Sequence, residues 1–247
     1  MSEEHVWVVG DCLARFAGNE GVETLGGVLS RPEERPGGQN TTVLHPGMGV
    51  DRTSWRELEE TILARGLSAS MSLHGEPPRP VARHRVLKQS QDNVLIGDAH
   101  ASGETIGASL TVPNDTEMIR DHTADQQHLP GMLLIEAAIQ LVTWGVGETV
   151  PRTSGGKARY AVMHRCGFSF HRFVFPLPTT LRARLSRSGE ADEDRVPLTA
   201  RVETEQAGET TGVYEFELNA FDPHAVFEAE AGQARRTLTR TGPPEKR

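Results

Sequence analysis

Between Asp121 and Gln140 the chain gathers Asp121, His122, Asp125, His128, Pro130, Gly131, Glu136 and Gln140. Pro130 suits the first turn of a helix, where its missing N–H does no harm. The N–H groups that follow, beginning with Gly131, find no acceptor inside such a helix. Backed by the helix dipole, they form an anion or oxyanion site, and a glycine lets a ligand approach the backbone closely. Glu136 lies among Met132, Leu133, Leu134, Ile135, Ala137, Ala138 and Ile139. A carboxylate in those surroundings is either paired or protonated, because a lone buried charge is very costly. Desolvation would raise its pKa toward a range useful for acid–base work. Gln140 stands one turn further on the same face, within reach of Glu136 or of its partner. The same two residues also fit a plain structural role, a salt bridge or a cap on a neighbouring loop. His122, Asp125 and His128 give the spacing HxxDxxH, which is no zinc signature and has no evident further ligand, so no metal is expected.

The element that must carry Glu136 is PGMLLIEAAIQLVTWGVGE (130–148), the most hydrophobic helical stretch in the sequence. Trp144 within it is core or tunnel wall. Strand-like runs follow: ARYAVM, FSFHRFVF, TTLRARLSR, PLTARVETEQ, TGVYEFELNA and AVFEAEAGQARRTL. Their alternation is that of half-buried strands, and RSGEADEDR and EQAGET are turns. DNVLIGDAH and GETIGASLTVP supply strands ahead of the helix, and TEMIRDHTADQQH is polar and irregular. One antiparallel sheet wrapped round one buried helix satisfies this order, an α+β architecture. Residues 1–75 read as a small α/β unit. Within it HVWVVG, TTVLHPG and LSASMSL are strands, CLARFAG has helical spacing, and a helix WRELEETILARG opens at Thr53 and stops at Gly66. Val8–Val9–Gly10–Asp11 lacks the further glycines of a dinucleotide fingerprint. Residues 76–85, with their prolines, read as a linker. The second domain spans 86–240, and 241–247 is a disordered tail.

The chain has 247 residues, enough for a substantial core. Twenty-six Lys and Arg against 34 Asp and Glu give a net charge of −8. That balance argues against nucleic acid and against an anionic membrane surface as partners. Cys12 and Cys166 form no CxxC, which suits a reducing compartment. No secretory signal or membrane span is visible, so a cytoplasmic protein is expected. Cys166 has no visible base beside it and is not read as a nucleophile. His164 and His171 sit in strand-like runs as packing or surface residues.

The separation of His122 from Glu136, with Pro130–Gly131 between them and Glu136–Ala137–Ala138–Ile139–Gln140 after, resembles the hotdog-fold β-hydroxyacyl-carrier-protein dehydratases. Asp121–His122, His128–Leu129–Pro130–Gly131–Met132, the Glu136–Gln140 helix, DNVLIGD (92–98) and FHRFVFP (170–176) are closer still to the A-factor-biosynthesis hotdog family of actinobacterial secondary metabolism, a setting that includes antibiotic biosynthesis. The resemblance covers roughly residues 84–238. It implies a hotdog fold and an acyl-thioester substrate, carried on phosphopantetheine or coenzyme A, in a tunnel lined by the central helix. No other cofactor is implied. By the same resemblance His122 removes the α-proton, protonated Glu136 donates to the leaving β-hydroxyl, and the Gly131 N–H binds the thioester carbonyl. Asp121, His128 and Gln140 support them. The acid and base of hotdog enzymes commonly meet across a dimer interface, so a homodimer is implied, with an acyl-carrier protein as a further partner. Butyrolactone-forming members usually carry two hotdog units, whereas residues 1–75 do not look like a second copy. Ile139 stands where that family often has an arginine, the residue type best suited to phosphate. Dehydration or hydration is therefore the first expectation. Acyl transfer or condensation of butyrolactone type, and a non-catalytic module binding an acyl chain or signal, are the alternatives.

Overall fold

The computed structural model describes residues 3–31, 41–114, 116–120 and 127–242. His122, Asp121 and Asp125 lie outside them. The chain starts with a parallel sheet of four strands: β1 (Glu3–Val9), β2 (Val22–Thr24), β3 (Thr41–Pro46) and β4 (Met71–Leu73), in the order β2-β1-β3-β4. Alternation along β1 and β3 sends Val6, Val8 and Leu44 to one face. There they pack on Val28 of α1 (Leu25–Ser30) and on Trp55, Leu58 and Ile62 of α2 (Arg52–Ala64). The N-cap of α2 is Asp51 rather than the expected Thr53. Asp51 accepts from the Ser54 N–H while the Ser54 hydroxyl returns to the Asp51 N–H, a reciprocal capping box. CLARFAG forms two short 3₁₀ turns in place of a helix. LSASMSL is a strand only over its last three residues, because a 3₁₀ turn that follows the left-handed Gly66 takes up its start.

The second sheet is antiparallel, with six strands: β5 (Ile96–Ser102), β6 (Thr105–Leu110), β7 (Tyr160–Phe170), β8 (Thr180–Arg187), β9 (Arg195–Gln206) and β10 (Glu209–Phe221). Its order is β5-β6-β8-β9-β10-β7. A short helix α3 (Glu117–Arg120) interrupts the polar stretch before α4 (Gly131–Thr149). The sheet wraps α4, whose Leu133, Ala137, Leu141, Val142 and Val146 are all buried against Ile106, Leu181, Leu198, Phe216 and Leu218. This is the expected hotdog arrangement. Residues expected as a last strand, AVFEAEAGQARRTL, instead lie in a helix, α5 (Pro223–Thr241). Asp222 caps it by accepting from the His224 N–H, and Pro223 occupies its first turn. Those start signals and the helix-forming Ala, Glu and Arg content prevail over the alternation.

The two sheets share a core. Val9, Leu13, Phe16 and Met48 of the N-terminal unit belong to the same apolar cluster as α4. Phe16 stacks on Phe175 with ring centroids 5.6 Å apart. Gly49 N–H donates to Val112 O (2.8 Å), and Met48 N–H to Pro176 O (3.1 Å). The loops leaving β1 and β3 cross at Gly10 and Gly49. A Cβ on Gly10 would lie 2.8 Å from Gly49 Cα, and Gly49 has φ +80°. Residues 79–81 run beside the start of β5, with Val81 N–H donating to Ile96 O. Among the described residues no helix is long and apolar enough to cross a membrane.

Candidate functional site at the start of the central helix

Helix α4 begins at Gly131 after an extended Pro130, and the first backed-up bonds run from Leu133 and Leu134 N–H to Pro130 O. Among the described residues nothing accepts from the Gly131 or Met132 N–H. These two donors are thus free at the positive end of a helix of 19 residues. Gly131 has a packing reason as well as the ligand-approach reason expected for it. The Phe170 ring lies across it, so that a Cβ here would be 2.7 Å from Phe170 Cζ.

Glu136 sits one and a half turns further along, partly buried. It is paired. Lys88 Nζ lies 2.5 Å from Oε1, and Gln140 Nε2 donates to the same oxygen at 2.9 Å. Gln140 is 1% exposed and fully engaged. Its Nε2 also donates to Asn93 O, and its Oε1 accepts from the Leu95 N–H, each at 2.8 Å. The segment 88–95 is therefore held to α4 at three points. Of the two states open to Glu136 on the sequence, the structure presents the ion-paired one. The protonated-donor role would require Lys88 to leave first. Lys88 was not anticipated: an acid in the apolar middle of a helix announces that a partner exists, but nothing in HRVLKQSQ says that it is the one.

His128 does not join this group. Its ring packs on Phe173, centroids 4.4 Å apart, and the side chains that pair or hydrogen-bond with Glu136 among the described residues are Lys88 and Gln140. Trp144 is buried in the core with the Arg85 guanidinium 5.8 Å above its ring. Tyr214 is buried behind Phe170, its ring edge-on at 6.1 Å. Its hydroxyl makes no hydrogen bond of acceptable geometry among the described residues, and burial pushes its pKa up to about 12.

The A-factor biosynthesis hotdog domain matches residues 70–222, more than half of the sequence. The chain belongs to that family. The match begins at β4 and ends with β10, so it takes in α4, Glu136, Gln140 and Lys88. No curated protein matches the chain. Among solved structures it is similar to a conserved protein of Pseudomonas aeruginosa (14% identity, 57% of this chain and 99% of that one, TM-score 0.40). It is also similar to a mutant thioesterase of the same organism (16%, 61% and 99%, 0.40), and to a thioesterase of Haemophilus influenzae (12%, 51% and 78%, 0.39).

A second group of side chains, not anticipated, belongs to the N-terminal unit. His5 and His45 lie on neighbouring strands with Nδ1 and Nε2 2.8 Å apart. His45 meets Trp7 at 5.0 Å and His74 at 5.1 Å between ring centroids. Burial, then the neighbouring His5 and His74, hold the His45 pKa below its ordinary value. Alternation along β1 puts His5 and Trp7 on one face, but only the parallel register brings His45 to them.

Proposed function

We propose that the hotdog domain acts on an acyl thioester, removing or adding water at the β-carbon, with Glu136 and His122 as its acid–base pair. The observation that carries this reading is the placement of Glu136. It is fixed by Lys88 and Gln140 about 7–8 Å along the helix axis from the free N–H groups at Gly131. In this reading those N–H groups bind the thioester oxygen, and the α- and β-carbons lie within reach of the carboxylate. With Lys88 in contact, Glu136 enters as the carboxylate, and so we assign it the base. It takes the α-proton, His122 as imidazolium protonates the β-hydroxyl, and the C–O bond breaks to release water. This exchanges the roles that the family resemblance implied.

The substrate arm would be phosphopantetheine on a carrier protein or coenzyme A. A homodimer would complete the site. Strand β7 is an edge strand of 11 residues, and Met132, Phe168, Phe170 and Phe173 are exposed beside the start of α4. Unpaired edges and large apolar patches of this kind are places where another chain pairs. A second copy, pairing along β7, would supply in trans the unit that tandem members carry in cis.

The test is intact mass spectrometry of a β-hydroxyacyl carrier protein incubated with the enzyme. A loss of roughly 18 Da, the mass of water, is the expected result of paired acid–base groups, and Glu136→Gln and His122→Ala should abolish it. Retention of full turnover in both variants would end this reading. Transfer of the acyl group to an added alcohol, with release of free thiol, would favour acyl transfer. The observation in favour of that second reading is a cavity of substrate size on the far side of segment 88–95.

A further inference from the structure

A cavity of about 800 Å³ lies between the N-terminal sheet and the hotdog sheet, within the range typical of small-molecule sites. One wall is the carboxyl end of β3 and the segment after β4. The other is formed by segment 91–94, the end of β6 and the start of β8. In the order β2-β1-β3-β4 the chain reverses direction across the sheet between β1 and β3. Crevices at such reversals, outside the carboxyl ends of parallel strands, are where ligands bind.

Sites of this kind usually take phosphate on a helix N-terminus. This one is built differently. The N-terminus of α2 is already taken by a carboxylate, with Asp51 accepting from the Ser54 N–H at 2.7 Å. Asp51, Glu76, Asp92 and Asp98 all line the cavity, and among the described residues no Lys or Arg does. Glu76 is neutralised by Arg52 at 2.8 Å. Asp51, Asp92 and Asp98 have no cationic partner among the described residues. His45 adds no fixed positive charge, since its neighbours and burial favour the neutral ring. A phosphate or carboxylate would meet net repulsion from these groups, since the nearby Arg52 is already committed to Glu76. A molecule bearing several O–H or N–H donors would find three acceptor carboxylates. The Trp7, His45 and His74 rings, tilted or edge-on to one another, line one side of the cavity and offer apolar and aromatic surface to the C–H face of a ring.

We propose that this cavity binds a small polyhydroxylated molecule free of phosphate and carboxylate, a sugar-like polyol or its amine derivative. Its floor is the segment tied to α4. Gln91, Asp92 and Val94 face the cavity, while Asn93 O and Leu95 N–H are bonded to Gln140. An occupant therefore rests on the same strap that positions Glu136. The inference stands apart from the acyl-thioester reading, because binding is measured directly.

The experiment is calorimetry and ligand-observed NMR on the full chain, with glucosamine, glucose and glucosamine 6-phosphate as probes. Saturable binding of glucosamine is expected, with glucose weaker and the phosphorylated compound weaker by about tenfold or more. Asp98→Asn, which keeps the shape and tolerates the left-handed backbone of Asp98 (φ +48°), should weaken glucosamine by about fivefold. Asp92→Asn should do the same, and both variants should retain the parent Tm. Slower amide exchange over residues 91–96 on binding would place the occupant on the strap. Absence of saturable binding by both unphosphorylated probes overturns the proposal. So does tighter binding of the phosphate, or binding that neither substitution alters. Glu136→Gln should keep glucosamine binding even where turnover is lost, so failure of one reading is not failure of the other.

Discussion

Helices α4 and α5 have the same length, 19 residues, and opposite fates. Eleven residues of α4 are buried and the sheet curls round it, whereas α5 buries only Val226. The difference is one of chemistry around the circumference. Apolar residues occupy most of the circumference of α4, so it is held by a core. Ala, Glu, Gln and Arg dominate α5, which stands on local propensity and its cap. Both acids on α4 consequently have partners: Glu136 pairs with Lys88, and Glu148 near the helix end with Arg85. The acids of α5 need no such explanation.

Substitutions that should behave oppositely on the two helices test this contrast. Leu141→Ala, at a fully buried position, should cost about 3 kcal/mol or more in urea unfolding. Leu238→Ala, at a position 72% exposed, should stay within about 0.5 kcal/mol. Equal effects would mean that α5 is covered by something in solution. Gln140→Ala leaves Asn93 O and Leu95 N–H without their partner and should cost about 2 kcal/mol. Amide exchange at Leu95 should accelerate, while Gln233→Ala on α5 should be near neutral. Asp222→Ala removes the cap of α5 and should cost about 1 kcal/mol of helix stability. That loss should appear as fraying in residue-resolved exchange, with the core unaffected.

The smallest effect touches neither helix. The pKa of His45 is lowered on folding, so the unfolded chain binds its proton more readily. The associated stability is complete above the ordinary value of 6.5 and is lost as pH falls below it toward the depressed folded value. His45→Gln should flatten that part of the stability profile, measured by thermal unfolding between about pH 7 and pH 5.

The same contrast marks what was legible in the sequence. An all-apolar run opened by Pro130 identified α4, and alternation identified the strands that pack on it. Alternation misled at residues 225–238, where Phe227, Ala229 and Ala231 alternate with Glu228 and Glu230 as in a strand, while the stronger signals, Asp222 and Pro223, stand just outside the run. Sheet order was beyond reach, since pairing depends on partners distant in sequence. At the site, the Glu136–Gln140 contact followed from helical spacing. Lys88 did not, because a long flexible side chain on an irregular segment leaves no periodic trace. The inter-sheet cavity arises only when two independently readable units meet.

The glycine crossing at Gly10 and Gly49, with the backbone bonds to Val112 and Pro176, has a practical corollary for dissection of the protein. A fragment trimmed to the matched family region would begin at residue 70 and lose Val9, Leu13, Phe16 and Met48, leaving a hole in the hydrophobic interior of what remained. The parallel and antiparallel halves differ in architecture, yet they should melt together in one cooperative step, and mutational damage to either should be inherited by both.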